Sequence, residues 1–276
     1  MTRWSCSLMS DTTGPHNQAP WLQLAGLRAV VTGGGGGIGR SSALKLLDVG
    51  AEVIIIDREE RLCESTVRDV ETLGHRISVV ACDVADAARV RAAADSIGAV
   101  DLLVNAAGIV GTGSLLETTP QDWAHVLDVN LTGAFHTAQA FAPGMIARGG
   151  GAMVHIASIA ATHPQANSSA YSASKAGLTL MSQQLAFELG PSGVRSNTIS
   201  PGLVRTPMTE AYYQAPGVTE RRNAAIPIGR VARPCDIAEV VLFLLSPRAQ
   251  YVSGADIVVD GGFTKTLMST VPRPGH

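Results

Sequence analysis

Short runs rich in β-branched residues alternate along this chain with longer stretches whose apolar positions recur at helical spacing. From residue 28 onward the runs at 29–32, 52–57, 76–83, 101–108, 152–158, 194–200 and 255–262 predict strands. Several are apolar on consecutive positions, as strands covered by helices on both faces must be. Between them, 38–50, 64–74, 85–98, 120–147, 168–190 and 233–246 predict helices. This order predicts an α/β fold: one doubly wound Rossmann-type domain, with a seven-stranded parallel sheet flanked by helices on both faces. The one long stretch without a clear element, 202–228, is expected to be a substrate lid, because long loops in compact domains are commonly functional.

The segment "VVTGGGGGIGR" interrupts this pattern with five consecutive glycines. A flexible linker would have that composition, but here the run joins a strand directly to an amphipathic helix. Glycines at such a junction permit a tight turn, a close approach of backbone N–H groups to a pyrophosphate, and close helix–strand packing. The spacing G-x-G-x-x-G is met by Gly34, Gly36 and Gly39, and T-G-x-x-x-G-x-G by Gly33, Gly37 and Gly39, with Ile38 between the last two. Asp57 closes the next strand about 20 residues on, where a carboxylate can accept hydrogen bonds from ribose hydroxyls. A dinucleotide site is therefore expected here.

Composition narrows the partners. The chain has 276 residues, 46% of them hydrophobic, with no apolar run of bilayer-spanning length. Its 21 basic and 23 acidic residues are interspersed, which argues against nucleic acid and for a small-molecule partner. Cys6, Cys63, Cys82 and Cys235 form no C-x-x-C pair and the histidines no H-E-x-x-H, so reduced thiols and no metal site are expected. The N-terminal residues lack signal- or transit-peptide character. The expected organisation is a flexible tail over 1–23, a catalytic domain over 24–263 and a C-terminal tail over 264–276, in a cytoplasmic protein.

Tyr171 and Lys175 in "YSASK" stand one helical turn apart, on one face. Ser158 ends the fifth expected strand, and ligands of doubly wound sheets sit at the carboxyl ends of strands. Exchange of hydride at a secondary alcohol needs a group that moves a proton at the carbinol oxygen near neutral pH. Bringing a tyrosine from about 10 to about 7 takes roughly 4 kcal/mol. An ammonium about 5 Å away supplies about 3 kcal/mol at an effective dielectric of 20.

Jointly these motifs closely resemble the short-chain dehydrogenase/reductase family across residues 24–262. The resemblance rests on "TGGGGGIG", Asp83-Val84, "NAAG" at 105–108, Asn130 in "DVNLTG", Ser158, "YSASK" and "NTISPGLVRT" at 197–206. "NAAG" is a mild variant of the family's usual "NNAG". The resemblance implies a tetrad of Asn130, Ser158, Tyr171 and Lys175. In it Tyr171 is the acid/base, Ser158 orients the substrate oxygen, Lys175 also holds the nicotinamide ribose, and Asn130 holds a relay water. It further implies that Asp83 and Val84 contact adenine. Asn105, Ala106, Ala107 and Gly108 would line the cofactor, and Pro201, Gly202, Val204 and Thr206 would meet its nicotinamide end.

The expected activity is NAD-dependent interconversion of a secondary alcohol and its ketone. Asp57 disfavours NADP, although Arg58 beside it could accommodate a phosphate. Two other readings remain open: an NADPH-dependent 3-oxoacyl carrier-protein reductase, and a dinucleotide sensor without catalysis. Met208, Tyr212, Tyr213 and Ile226 suggest an apolar substrate cavity, with His163 a candidate contact. His125, His136 and His155 read as packing or surface residues. The family usually forms tetramers through the two long helices, and a homotetramer is expected.

Overall fold

The computed structural model describes residues 20–72 and 77–271. Seven strands form one parallel sheet in the order β3-β2-β1-β4-β5-β6-β7. They are β1 (Arg28–Thr32), β2 (Glu52–Asp57), β3 (Ser78–Ala81), β4 (Leu102–Asn105), β5 (Gly151–Ile156), β6 (Val194–Pro201) and β7 (Asp256–Val259). The helices are α1 (Gly37–Asp48), α2 (Glu64–Thr72), α3 (Ala87–Ile97), α4 (Pro120–Leu127), α5 (Gly133–Ala147), α6 (Tyr171–Leu189), α7 (Glu210–Tyr213), α8 (Val218–Ala225) and α9 (Pro234–Leu245).

Consecutive residues of a strand face opposite sides, so the apolar runs feed two cores at once. Ala29, Val31, Val53 and Ile55 pack on one face with Leu46 of α1, Val70 of α2 and Leu242 of α9. Val30, Ile54 and Ile56 pack on the other with Val90 of α3 and Phe141 and Met145 of α5. The chain runs outward from β1 to β3, then returns to start β4 on the other side of β1. The carboxyl ends of β1 and β4 thus flank the switch point where such sheets bind ligands.

Three expectations need adjustment. The stretch 120–147 is not one helix: a π-helical turn, Asp128–Thr132, separates α4 from α5. Three hydrogen bonds made by the Asn130 side chain to Ile109 and Ser174 hold this irregular turn in place. The stretch 202–228 contains α7 and α8 rather than open loop. The ordered domain also begins earlier than residue 24: Leu22 is buried in the core, and Arg248 Nε donates 2.6 Å to the Trp21 carbonyl. Beyond β7 the chain makes two short 3₁₀ turns, Phe263–Lys265 and Leu267–Thr270. The rest of both expected tails, 1–19 and 272–276, lies outside the described residues. Cys63 and Cys82 are buried free thiols. Cys235 is buried as well, and Cys6 lies outside the described residues.

Candidate active site

The glycine run turns from β1 into α1 along the wall of a cavity of about 420 Å³. Gly33 has φ of +67°, and a Cβ there would meet the Ala107 backbone at 2.8 Å. A Cβ on Gly39 would lie 2.2 Å from the Gly33 carbonyl oxygen. Both positions exclude any side chain, which fixes α1 tightly over the end of β1. Thr32 Oγ1 accepts from the N–H groups of Ala106 and Ala107, each at 3.1 Å, and locks this turn to the loop after β4. Gly36 precedes α1 without a side-chain cap, so the first N–H groups of the helix are left to the cavity. Such a bare helix start, lined by glycine, suits the negative charge of a pyrophosphate.

At one end of the cavity stands Asp57. Its Oδ2 accepts from the Gly35 N–H at 2.9 Å and its Oδ1 from the Arg58 N–H at 2.8 Å, so the carboxylate is oriented before any ligand arrives. Arg58 is largely exposed, its guanidinium 3.5 Å from Glu59.

The reactive side chains converge on another wall. Ser158 sits just past β5, where its hydroxyl accepts from the Ala160 N–H at 3.1 Å and faces the Tyr171 phenol at the first residue of α6. Lys175 is buried, lies 5.7 Å from the Tyr171 ring centre, and donates 2.7 Å from Nζ to the Ile156 carbonyl. Burial lowers Lys175 to about 8. Burial also raises the Tyr171 phenol above its ordinary 10, with the Ser158 hydrogen bond pulling the other way. The protein alone therefore holds a neutral phenol, not the acidified one expected from Lys175.

All the expected cofactor residues but one line this cavity: Gly33, Gly36, Gly37, Ile38, Gly39, Asp57, Arg58, Asp83, Val84, Ala106, Ala107, Gly108, Tyr171, Lys175, Pro201, Gly202, Val204 and Thr206. Asn105 is the exception. Its carboxamide turns into the core, accepting from Thr137 Oγ1 at 2.7 Å and donating to His155 Nδ1 at 3.1 Å. Asn130 also stands behind the cavity wall. Its Oδ1 accepts from the Ile109 N–H at 2.8 Å, and its Nδ2 donates to the Ile109 carbonyl at 2.9 Å and to Ser174 Oγ at 3.0 Å. Both of its N–H donors are thereby taken, so this side chain pins the loop after β4 to α6.

Met208 lines the cavity, whereas Tyr213 and Ile226 are buried outside its lining. The Tyr213 ring lies between the Arg205 and Arg222 guanidiniums, at 5.1 and 4.7 Å. His163 is exposed, pairs with Thr162 Oγ1 at 2.9 Å and is not part of the lining. Among the lining residues that went unrecognised in the sequence are His125 and Val129. Their i, i+4 spacing leading up to Asn130 was the available signal, since it places both on one helical face. Among the described residues no three His, Cys, Asp or Glu side chains cluster as metal ligands.

Residues 33–264 match a family model described as enoyl-(acyl carrier protein) reductase. The chain is 35% identical to a 2,5-dichloro-2,5-cyclohexadiene-1,4-diol dehydrogenase of Sphingobium indicum, with 88% of this chain and 98% of that protein covered. It is 40% identical to a D-threitol dehydrogenase of Mycolicibacterium smegmatis, covering 88% and 95%. The solved structure of a gluconate 5-dehydrogenase from Burkholderia cenocepacia J2315, in complex with NADP and tartrate, superposes with a TM-score of 0.82 at 33% identity, covering 87% and 96%. With the glycine cradle, the oriented carboxylate and the Ser–Tyr–Lys wall in one cavity, these matches establish that the chain belongs to the short-chain dehydrogenase/reductase family and is an oxidoreductase of CH–OH groups.

Proposed function

We infer that the protein oxidises a secondary alcohol to its ketone, or reduces that ketone, with NAD preferred over NADP. The observation that carries this reading is the convergence of Ser158, Tyr171 and Lys175 on one wall of a cavity whose other end presents Asp57. A bound nicotinamide dinucleotide supplies the hydride acceptor for oxidation, or the donor for reduction. The glycine turn and the start of α1 would hold its pyrophosphate, and Asp57 its adenosine ribose. Lys175 keeps two of its three N–H donors beyond the bond to Ile156, enough to engage ribose hydroxyls.

Ser158 orients the substrate oxygen by hydrogen bonding. Tyr171 takes the proton from that oxygen during oxidation and returns it during reduction. The Lys175 ammonium, 5.7 Å from the centre of the Tyr171 ring, favours the phenolate by its charge. Because burial opposes this, the phenol acquires its working acidity when the positive charge of an oxidised nicotinamide adds to that of Lys175. Asn130 positions the loop after β4. Ile109, Pro207 and Met208 give the cavity apolar surface, which suits an alcohol whose carbinol carbon is flanked by ring or chain carbons.

A panel of cyclic, aromatic, acyl and polyhydroxy secondary alcohols with both dinucleotides tests the reading, followed by the absorbance of the reduced cofactor. Turnover of a cyclic or alkyl alcohol with NAD is the expected result. Binding of NAD without turnover of any alcohol or ketone would point to a sensor. Reduction of a 3-oxoacyl thioester with NADPH alone would replace the proposal by the carrier-protein reductase reading.

A further inference from the structure

We propose that His155, outside the cavity lining and buried in the middle of the sheet, is a positioning residue that sets Tyr171 and Lys175 against Ser158 through a chain of hydrogen bonds crossing five elements. The inference rests on the proton-transfer role given to Tyr171 above.

The chain begins on α5, where Thr137 Oγ1 bonds Asn105 Oδ1 of β4 at 2.7 Å. Asn105 Nδ2, also 3.4 Å from the Ala134 carbonyl, bonds His155 Nδ1 of β5 at 3.1 Å. His155 Nε2 bonds Ser196 Oγ of β6 at 3.1 Å, and Ser196 Oγ bonds Ser182 Oγ of α6 at 2.8 Å. An amide nitrogen can only donate, so Nδ1 is the acceptor and the ring proton resides on Nε2, directed at Ser196. Thr137, His155, Ser182 and Ser196 are at most 1% exposed and Asn105 4%, so no solvent competes for these bonds. In such surroundings an unmatched polar group is costly, which makes the chain hold together or fail as a unit.

Its importance for the site follows from how α6 is packed. The buried residues of this 19-residue helix are Ser174, Lys175, Leu178 and Ser182, and only Leu178 among them is apolar. Apolar contact is non-directional and tolerates sliding, whereas hydrogen bonds fix a register. Two polar pins therefore hold α6 to the sheet: Lys175 on the Ile156 carbonyl, and Ser182 on Ser196, whose hydroxyl is in turn bonded by His155. Ser182 lies about two turns beyond Lys175, on the same face. His155 is the residue before Ile156 and Ser158 follows two after it, so both pins meet β5 just before the catalytic serine. A neutral imidazole is required in this place. Burial, assisted by the nearby Lys175 ammonium, holds His155 well below its usual range, at about 4.

The test is ultraviolet difference titration of the phenolate in the full-length protein, with Tyr171→Phe identifying the Tyr171 component. This readout needs no substrate. Ser182→Ala, which removes a single oxygen from the outer end of the chain, and His155→Leu should each move the apparent midpoint of the Tyr171–Lys175 pair by at least about half a pH unit. His155→Gln retains a donor and an acceptor and should stay close to the unmodified protein. With any alcohol that is turned over, Ser182→Ala should lower kcat about tenfold while leaving the dinucleotide KM within about twofold. A midpoint that stays in place in folded Ser182→Ala overturns the inference, whether or not His155→Leu folds. Absence of turnover in the unmodified protein would instead sink the proposed reaction and leave the titration readable.

Discussion

The Lys175 ammonium lies 5.7 Å from the centre of the Tyr171 ring, one turn further along α6, and its Nζ is tied to the Ile156 carbonyl rather than to the phenol oxygen. The lysine therefore acts on the tyrosine through space, as a fixed charge. Removing the phenol oxygen deletes the transferable proton and leaves that charge in position. Tyr171→Phe should lose about 10²–10⁴-fold in kcat and bind dinucleotide within a few-fold of the unmodified protein, as measured by turnover and by fluorescence titration with the reduced cofactor. Retention of more than about a tenth of kcat would remove Tyr171 from the acid/base role.

Lys175 has two tasks, so its removal should show in two measurements. Lys175→Ala is expected to lower kcat and also to weaken dinucleotide binding, which separates it from Tyr171→Phe. With burial holding Lys175 at about 8, raising the pH through that value in the unliganded protein discharges the ammonium. Dinucleotide affinity should accordingly fall with rising pH near 8, and the fall should be absent from Lys175→Ala. An affinity independent of pH across this range would mean that the ammonium is not used in binding.

Much of this was legible in the chain because its patterns are local. Consecutive apolar residues announced buried parallel strands, and the glycine run between β1 and α1 announced a cradle by what it lacked. Long-range polar pairings were not legible. Asn105 read as a cofactor residue through the family resemblance of "NAAG", yet Thr137 and His155, distant in sequence, turn its carboxamide into the core. The π turn at Asn130 was hidden because periodicity continues through it, while its cause is contact with Ile109 and Ser174. His155 read as packing, since nothing in the strand pattern shows that Ser196 and Ser182 would face it.

The depressed titration of His155 has a consequence for stability. The unfolded chain binds a proton near the ordinary 6.5, whereas the folded one resists it down to about 4. Between those values the unfolded state carries more protons, so stability rises with pH, is complete above about 6.5 and is lost as pH falls toward 4. The loss amounts to roughly 3 kcal/mol from this residue. Thermal melts across this window should show the slope, and His155→Gln should flatten it. A variant slope equal to that of the unmodified protein would assign the effect to carboxylates instead.

The outer faces of α4, α5 and α6 leave Trp123, Phe135, Ile146, Leu180 and Phe187 exposed, the last at 85%. Burying such side chains gains about 25 cal/mol per Å², so a second copy of the chain is the expected cover, in line with the tetramer that the family resemblance implies. Light scattering at micromolar concentration should give a mass near four chains, and Leu180→Asp with Phe187→Asp should reduce it. A monomer in the unmodified protein would refute this assembly.

Cofactor preference turns on Asp57 and Arg58. The Asp57 carboxylate is held in place by the Gly35 and Arg58 N–H groups, so it cannot swing aside from a phosphate on the adenosine ribose. At about 4 Å and an effective dielectric near 20 the repulsion is roughly 4 kcal/mol. Arg58 could offset part of it, but its guanidinium is exposed and already lies 3.5 Å from Glu59. Exposed ion pairs contribute only about 0–1 kcal/mol. Repulsion should therefore prevail, giving NAD at least about a tenfold advantage in kcat/KM. Asp57→Ala should shrink or reverse that ratio and spare kcat at saturating NAD. The complex of a relative with NADP makes the alternative concrete. Equal efficiency with both dinucleotides in the unmodified protein would mean that Arg58 leaves Glu59 for the phosphate and governs the ribose end.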